Sequence, residues 1–188
     1  AGEHVLRQGD ATRHVVVVTA GILKVTAETA GGRTLLLAVR AAGDIVGELG
    51  ALDGGPRTAT VTACADVVAR HVGAAEWHGF LQREPVVAAA LTAVVTERLR
   101  RETQRRVDLD EQPAPVRIAT VLAEFVDVHG EDVPGGRRIA FPLSQPELAA
   151  AAGCALASVQ STLSALRRAG IVETGYLRPV VRDLAALR

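Results

Sequence analysis

Two periods of hydrophobicity divide this chain. Over roughly the first seventy residues, short runs rich in valine, threonine and leucine alternate with turn signals, and beyond Val72 apolar residues recur at helical spacings. The early runs are His14–Ala20 (HVVVVTA), Ile22–Glu28 (ILKVTAE), Arg33–Val39 (RTLLLAV), Thr58–Cys64 (TATVTAC) and Val67–Val72. Gly21, Gly31-Gly32, Gly43-Asp44 and Gly54-Gly55-Pro56 separate them, as turns between strands require. Even spacing of such strands predicts an antiparallel sandwich or jelly roll. The chain starts abruptly on what reads as a strand, so a short N-terminal segment is expected to precede it.

The later pattern is helical. Ala74–Gln82 reads as a short helix, and Pro85 then sits where a first helical turn tolerates proline. From Val86 to about Leu109 there is neither glycine nor proline. Ala88, Leu91, Val95 and Leu99 form an apolar stripe along this run, whose second half, ERLRRETQRRVDLDEQ, is densely charged. Near-heptad spacing on so long a helix predicts pairing with a second copy, as in a coiled coil. The alternative is a long packing helix within one subunit.

QPAP (Gln112–Pro115) then marks a hinge. A helix over Val116–His129, a loop containing PGG and a strand at Arg138–Phe141 follow. Ser144 precedes Pro146 and Glu147 at capping-box spacing, opening a helix over Pro146–Ala152 that stops at Gly153. A further helix over about Ala155–Ala169 ends at Gly170, and Ile171–Glu173 with Pro179–Arg182 predicts a small hairpin. Helix, glycine turn, helix and hairpin is the order of a winged helix-turn-helix. The pattern predicts an α+β chain: an antiparallel β jelly roll over 1–84, a long dimerisation helix and hinge over 85–112, and a winged helix-turn-helix over 113–188.

Composition narrows the function. The 188 residues are 48% hydrophobic and 22% charged, with a formal net charge of zero, so any surface for nucleic acid must be local. Twenty of the twenty-one basic residues are arginine, which reads as coding bias. Two cysteines and five scattered histidines provide neither a disulfide framework nor metal-ligand spacing, and a reducing cytoplasm is expected. No Ser/His/Asp order and no GK[ST] phosphate loop is present, so an enzyme is not expected. No apolar run is long enough to span a bilayer.

The candidate chemistry lies in GELGALDGGPRTATV, Gly47–Val61. One helical turn at Glu48–Leu52 would point its first amides at an anion, and Gly47 would let the backbone approach closely. Gly54-Gly55-Pro56 would reverse the chain so that Arg57 faces the same anion with a fork matched to phosphate oxygens. Glu48 could accept a hydrogen bond from a sugar hydroxyl. Phosphate on arginine and ribose on glutamate describes a ribonucleotide monophosphate. A Glu48–Arg57 salt bridge bracing a loop is equally consistent with the spacing.

Gly43–Ala63 (GDIVGELGALDGGPRTATVTA) resembles the phosphate-binding cassette of cyclic-nucleotide-binding domains, and QGD and TAGILKV resemble the strands before it. With the downstream winged helix, nearly the whole chain resembles the cyclic-AMP receptor/fumarate-nitrate regulator (Crp/Fnr) family of bacterial transcription regulators. That resemblance implies a cyclic-nucleotide-binding jelly roll and a cytoplasmic, allosteric homodimer that binds double-stranded DNA. It also implies RNA polymerase as a candidate partner, and no membrane. It implies Gly47, Glu48 and Leu49 in the cassette helix, Glu48 on the ribose 2′-hydroxyl, Arg57 on the cyclic phosphate and Thr58 beside phosphate or base. It places Glu102 and Thr103 near the purine, with Arg98 one helical turn before. Cyclic AMP is the expected ligand, with cyclic GMP second because of Thr58. Cluster-binding cysteines of the fumarate-nitrate branch are absent, and no haem-ligand signature is visible.

The DNA end departs from the family pattern. The family's matching helix carries an arginine and a glutamate in its first turn and another arginine further on; here Leu156, Ala157 and Ser161 stand instead. The polar candidates are Ser158, Gln160, Ser161, Ser164, Arg167 and Arg168, with Ser144 and Gln145 at the entry and Arg178 in the wing, Tyr176 beside it. From Pro113 onward eight arginines face seven acids, a net of +1, less basic than DNA binding leads one to expect. The second reading is a cyclic-nucleotide-binding signalling protein whose winged helix has lost sequence-specific DNA binding. A third is an orphan regulator that binds DNA without nucleotide.

Overall fold

Four consecutive valines, Val15–Val18, organise the N-terminal half. They open strand β2 (Val15–Ala20). Side chains on a strand alternate between faces, so Val16 and Val18 join Leu6, Leu23, Val46, Val61 and Ala63 in one core. Val15 and Val17 point the other way, into a second cluster with Ala51, Val72, Trp77 and Leu91. A strand buried on both faces needs no polar alternation, which explains its unbroken valine run.

The computed structural model describes residues 1–188, apart from the side chains of Leu109 and Asp110. Ala1–Glu28 with Leu37–Asp110 form one compact unit; Thr29–Leu36 with Glu111–Arg188 form another. In the N-terminal part of the chain, one sheet runs in the order β1 (His4–Leu6), β6 (Thr60–Ala63), β3 (Ile22–Glu28), β4 (Thr34–Ala41), with β6 antiparallel to both β1 and β3. The other places β2 between β5 (Ile45–Val46) and β7 (Val68–Val72). Helices α1 (Glu48–Asp53), α2 (Ala74–Arg83) and α3 (Pro85–Glu111) complete this part of the chain. The two-residue β5 was not anticipated from sequence.

Helix α3 corrects one expectation. Leu91 and Val95 pack into the cluster formed by Val15, Val72 and Trp77, so the stripe Ala88, Leu91, Val95, Leu99 does not face a second copy as a unit. Leu99, by contrast, is 67% exposed. Ala89, Thr92, Thr96, Leu99 and Thr103 recur at spacings of three and four on an exposed side of α3.

The second unit contains α4 (Ala114–His129), β8 (Gly130–Val133), β9 (Gly136–Ile139), α5 (Gln145–Ala151), α6 (Leu156–Arg168), β10 (Val172–Glu173), β11 (Val180–Val181) and α7 (Leu184–Leu187). Ile118, Leu122, Val126, Ile139, Phe141, Val159, Val172 and Val181 are its fully buried side chains. The anticipated wing hairpin belongs to a four-stranded sheet in the order β10-β11-β9-β8. Val180 pairs with Arg138 as well as with Glu173. The axes of α5 and α6 meet at 105°, within the range of a helix-turn-helix. Among the described residues no single helix is long and apolar enough to cross a membrane.

Candidate functional site

The turn from β5 into α1 is shaped by a close approach. Gly47 has φ 82°, and a Cβ there would lie 2.8 Å from Arg57 Nη1 and 3.0 Å from both the His14 carbonyl oxygen and Leu6 Cδ1. Only glycine satisfies both the conformation and the space. Helix α1 then ends at Gly54, with φ 71°. Asp53 Oδ1 accepts a 2.8 Å hydrogen bond from the Gly55 amide, turning the chain so that Arg57 comes back beneath the start of the helix.

Arg57 is 4% exposed. Its Nε donates to Thr12 Oγ1 at 3.1 Å, Nη1 to the Gly47 carbonyl at 2.6 Å and Nη2 to the His14 carbonyl at 2.5 Å. A guanidinium has five N–H donors, so one remains on each terminal nitrogen. Burial lowers the pKa of Arg57, while the charges of Glu48 and Asp10 act the other way. The group stays a cation at any physiological pH.

Glu48 is 6% exposed, and its partner is not Arg57. Arg98 of α3 donates through Nη1 to Glu48 Oε1 at 2.6 Å, and through Nη2 to the Ile45 carbonyl at 3.1 Å. Arg98 also lies 3.4 Å from Asp44 Oδ1. The salt bridge between Glu48 and Arg57 that the spacing equally allowed is therefore not formed. Arg98 uses one carboxylate oxygen of Glu48, and the second remains available as an acceptor.

A cavity of about 300 Å³ opens beside these groups. The cassette contributes Gly47, Glu48, Leu49, Gly50, Arg57 and Thr58 to its lining, and α3 contributes Arg98 and Glu102. Leu6, Val25, Leu37, Val46 and Val61 supply an apolar wall. Leu91, Val95, Arg98 and Glu102 follow one another at helical spacings, so a single face of α3 changes from apolar packing to charged lining as it passes the cavity. Thr103 lies outside it. Its hydroxyl donates to the Leu99 carbonyl at 2.9 Å, and the residue is exposed.

Sequence reasoning missed Arg40, a third guanidinium in the lining. Its Nη1 donates to the Val39 carbonyl at 3.1 Å. Burial, followed by the charge of Arg98, lowers its pKa. Leu37, Ala38 and Arg40 of β4 all line the cavity, so simple alternation along the strand does not single Arg40 out. Beside Arg57, the rings of His14 and His71 stack with centroids 5.0 Å apart. Burial lowers the pKa of His14 first, with Arg57 and His71 reinforcing it.

Comparison with known proteins matches each half of this arrangement. Residues 1–84 match the cyclic nucleotide-binding domain, and residues 116–188 match the Crp-like helix-turn-helix domain. The chain belongs to the Crp/Fnr family of transcription regulators. It is 29% identical over 187 residues to the cyclic AMP receptor protein of Thermus thermophilus, covering 99% of this chain and 83% of that one. It is 27% identical over 163 residues to the CRP-like cAMP-activated global transcriptional regulator of Mycobacterium tuberculosis, covering 87% of this chain and 73% of that one. Among solved structures, a CRP-family transcriptional regulator from Thermus thermophilus superposes with a TM-score of 0.81 at 26% identity, over 99% of this chain and 91% of that one. As a Crp-like, cyclic-nucleotide-binding transcription regulator, the chain is not an enzyme.

The helix-turn-helix of this Crp/Fnr-family chain is well braced. Ser144 and Glu147 form a reciprocal capping box at the start of α5. Arg117 of α4 donates to the carbonyls of Ala152 and Gly153, at 2.9 and 3.0 Å, fixing the turn before α6. Ser144 thus spends its hydroxyl on the cap, while Gln145 is exposed. On α6, Gln160, Ser161, Arg167 and Arg168 are exposed, whereas Ser158 and Ser164 are half-buried; Arg178 in the wing is half-buried too.

Four ion pairs form within this part of the chain. Arg137 pairs with Asp132, Arg138 with Glu131, Arg182 with Glu173 and Arg188 with Asp127. Glu147 and Asp183 are helix caps. Arg167, Arg168 and Arg178 form no ion pair among the described residues. Four of the seven acids are thus ion-paired, while Glu124 and Asp183 stay exposed, as do Arg167 and Arg168; Arg178 is half-buried.

Proposed function

We propose that this chain is a homodimeric transcription regulator whose DNA binding is controlled by cyclic AMP, with cyclic GMP the weaker ligand. One observation carries the reading: a single cavity offers a buried arginine with uncommitted N–H groups and a buried glutamate with an uncommitted oxygen. Arg57 takes the cyclic phosphate, Glu48 accepts from the ribose 2′-hydroxyl, and the purine lies against the apolar wall towards Glu102 and Thr58. The curated relatives named for cyclic AMP support the choice of base.

Helix α3 makes the binding consequential. Arg98 already joins it to Glu48, so a ligand that engages Glu48 also bears on the long helix. Ligand that prefers one setting of α3 shifts the population towards it, and the break at Gln112–Pro113, between α3 and α4, carries the change to the winged helices. The exposed side with Thr96, Leu99 and Thr103 is the dimer seam in this reading, which brings Thr103 to the partner copy. Trp77 packs in the cluster that contains Leu91 of α3, so its fluorescence reports on the helix. Titration of the purified protein with cyclic AMP and cyclic GMP, read by Trp77, tests the ligand assignment: saturable change with cyclic AMP at lower concentration is expected, and no response to either nucleotide contradicts it. DNA affinity that rises with cyclic AMP and falls steeply with salt separates a regulator from a signalling protein that has lost DNA.

A further inference from the structure

Helix α6 carries a reading face of definite chemistry. Val159, Thr162 and Leu163 are buried. In the first turn, Leu156 is 41% exposed, an apolar side chain that packing inside the unit covers only in part. Ala157 is exposed beside it, and Gln160 and Ser161 are exposed one turn later. No charged residue occurs on α6 before Arg167.

Base chemistry then selects. Guanine is read by arginine or lysine on O6 and N7, and cytosine by a carboxylate on N4; neither kind of side chain occurs on α6 before its last turn. Adenine is read by glutamine or asparagine bidentate to N6 and N7, and thymine by apolar contact with its C5-methyl group. We infer that α6 reads A·T pairs in the major groove, with Leu156 and Ala157 against thymine methyls and Gln160 on adenine. This rests on the DNA-binding reading above. Arg167, Arg168 and Arg178 take phosphates, so affinity comes from arginine and sequence preference from a nearly uncharged helix face. Short side chains at Ala157 and Ser161 let the helix backbone approach the methyl groups closely.

The test is selection of duplexes from a random library by the full chain, with and without cyclic AMP. Retained half-sites are expected to carry A·T pairs at the positions facing α6. Replacing thymine there by deoxyuridine, which lacks only the methyl group, is expected to weaken binding about threefold to fourfold per methyl. Leu156→Ala removes that penalty at one position, and Gln160→Ala lowers the preference for adenine about tenfold; thermal melting checks that both variants fold. Guanine or cytosine required at those positions, or no effect of deoxyuridine, overturns the inference while leaving DNA binding intact. Retention of no duplex under either condition overturns the DNA-binding reading and the inference together.

Discussion

Arg57 and Glu48 are buried close together, yet each is satisfied by someone else. Backbone carbonyls of Gly47 and His14 hold Arg57, and Arg98 holds Glu48. A pair clasping each other would present little to a ligand; this arrangement aims both groups while leaving each with spare hydrogen-bonding capacity. The 2′-hydroxyl contact can be isolated with 2′-deoxy cyclic AMP. Wild type is expected to bind it about tenfold more weakly than cyclic AMP, whereas Glu48→Gln should discriminate much less. Equal discrimination by both proteins contradicts the role of Glu48. His14 supplies a pH dependence. Its pKa is lowered from 6.5 by burial, then by Arg57 and His71, so the unfolded chain takes up a proton before the folded one does. Stability is present above about pH 6.5 and is lost as pH falls from there towards the depressed folded value. Melting temperature measured between pH 7.5 and roughly 5 should show that loss, and His14→Asn should reduce it.

At the scale of elements, the cassette turn and α3 do most to make the site. Gly47→Ala forces a left-handed conformation on a residue with a side chain, which costs about 1–2 kcal/mol, and drives its Cβ against Arg57. The variant should be less stable to urea by at least that amount and should lose most of its affinity for cyclic AMP. The cassette was legible because glycine, acid and arginine occur there in that order between two short runs rich in β-branched residues. Other features were not. Strand β8 reads GEDV and holds its place by backbone pairing with β9, so it leaves little hydrophobic trace. Arg40 lies one residue beyond the run read as Arg33–Val39, and its role depends on where β4 lies beside α1 and α3. Helical periodicity located α3 well but misassigned its faces. Leu91 and Val95 carry the stronger apolar signal and belong to the subunit's own core, while the exposed side is built from alanine, threonine and a single leucine.

For the whole molecule, α3 serves two purposes: one side closes the cavity, and another is the proposed seam with a second copy. Leu99→Arg would place charges in that seam, and sedimentation equilibrium should show a monomer where wild type is a dimer. Internal ion pairing likewise matters at this scale, since it ties up four arginines of the C-terminal unit and leaves Arg167, Arg168 and Arg178 without an ion pair among the described residues. The central claim is that Arg57 anchors the cyclic phosphate in the cavity beneath α1. Calorimetric titration of wild type and Arg57→Ala with cyclic AMP tests it most directly. Loss of two charge-assisted hydrogen bonds predicts affinity weakened by about two orders of magnitude or more in a variant that still folds. Wild-type affinity in the folded variant would contradict the account.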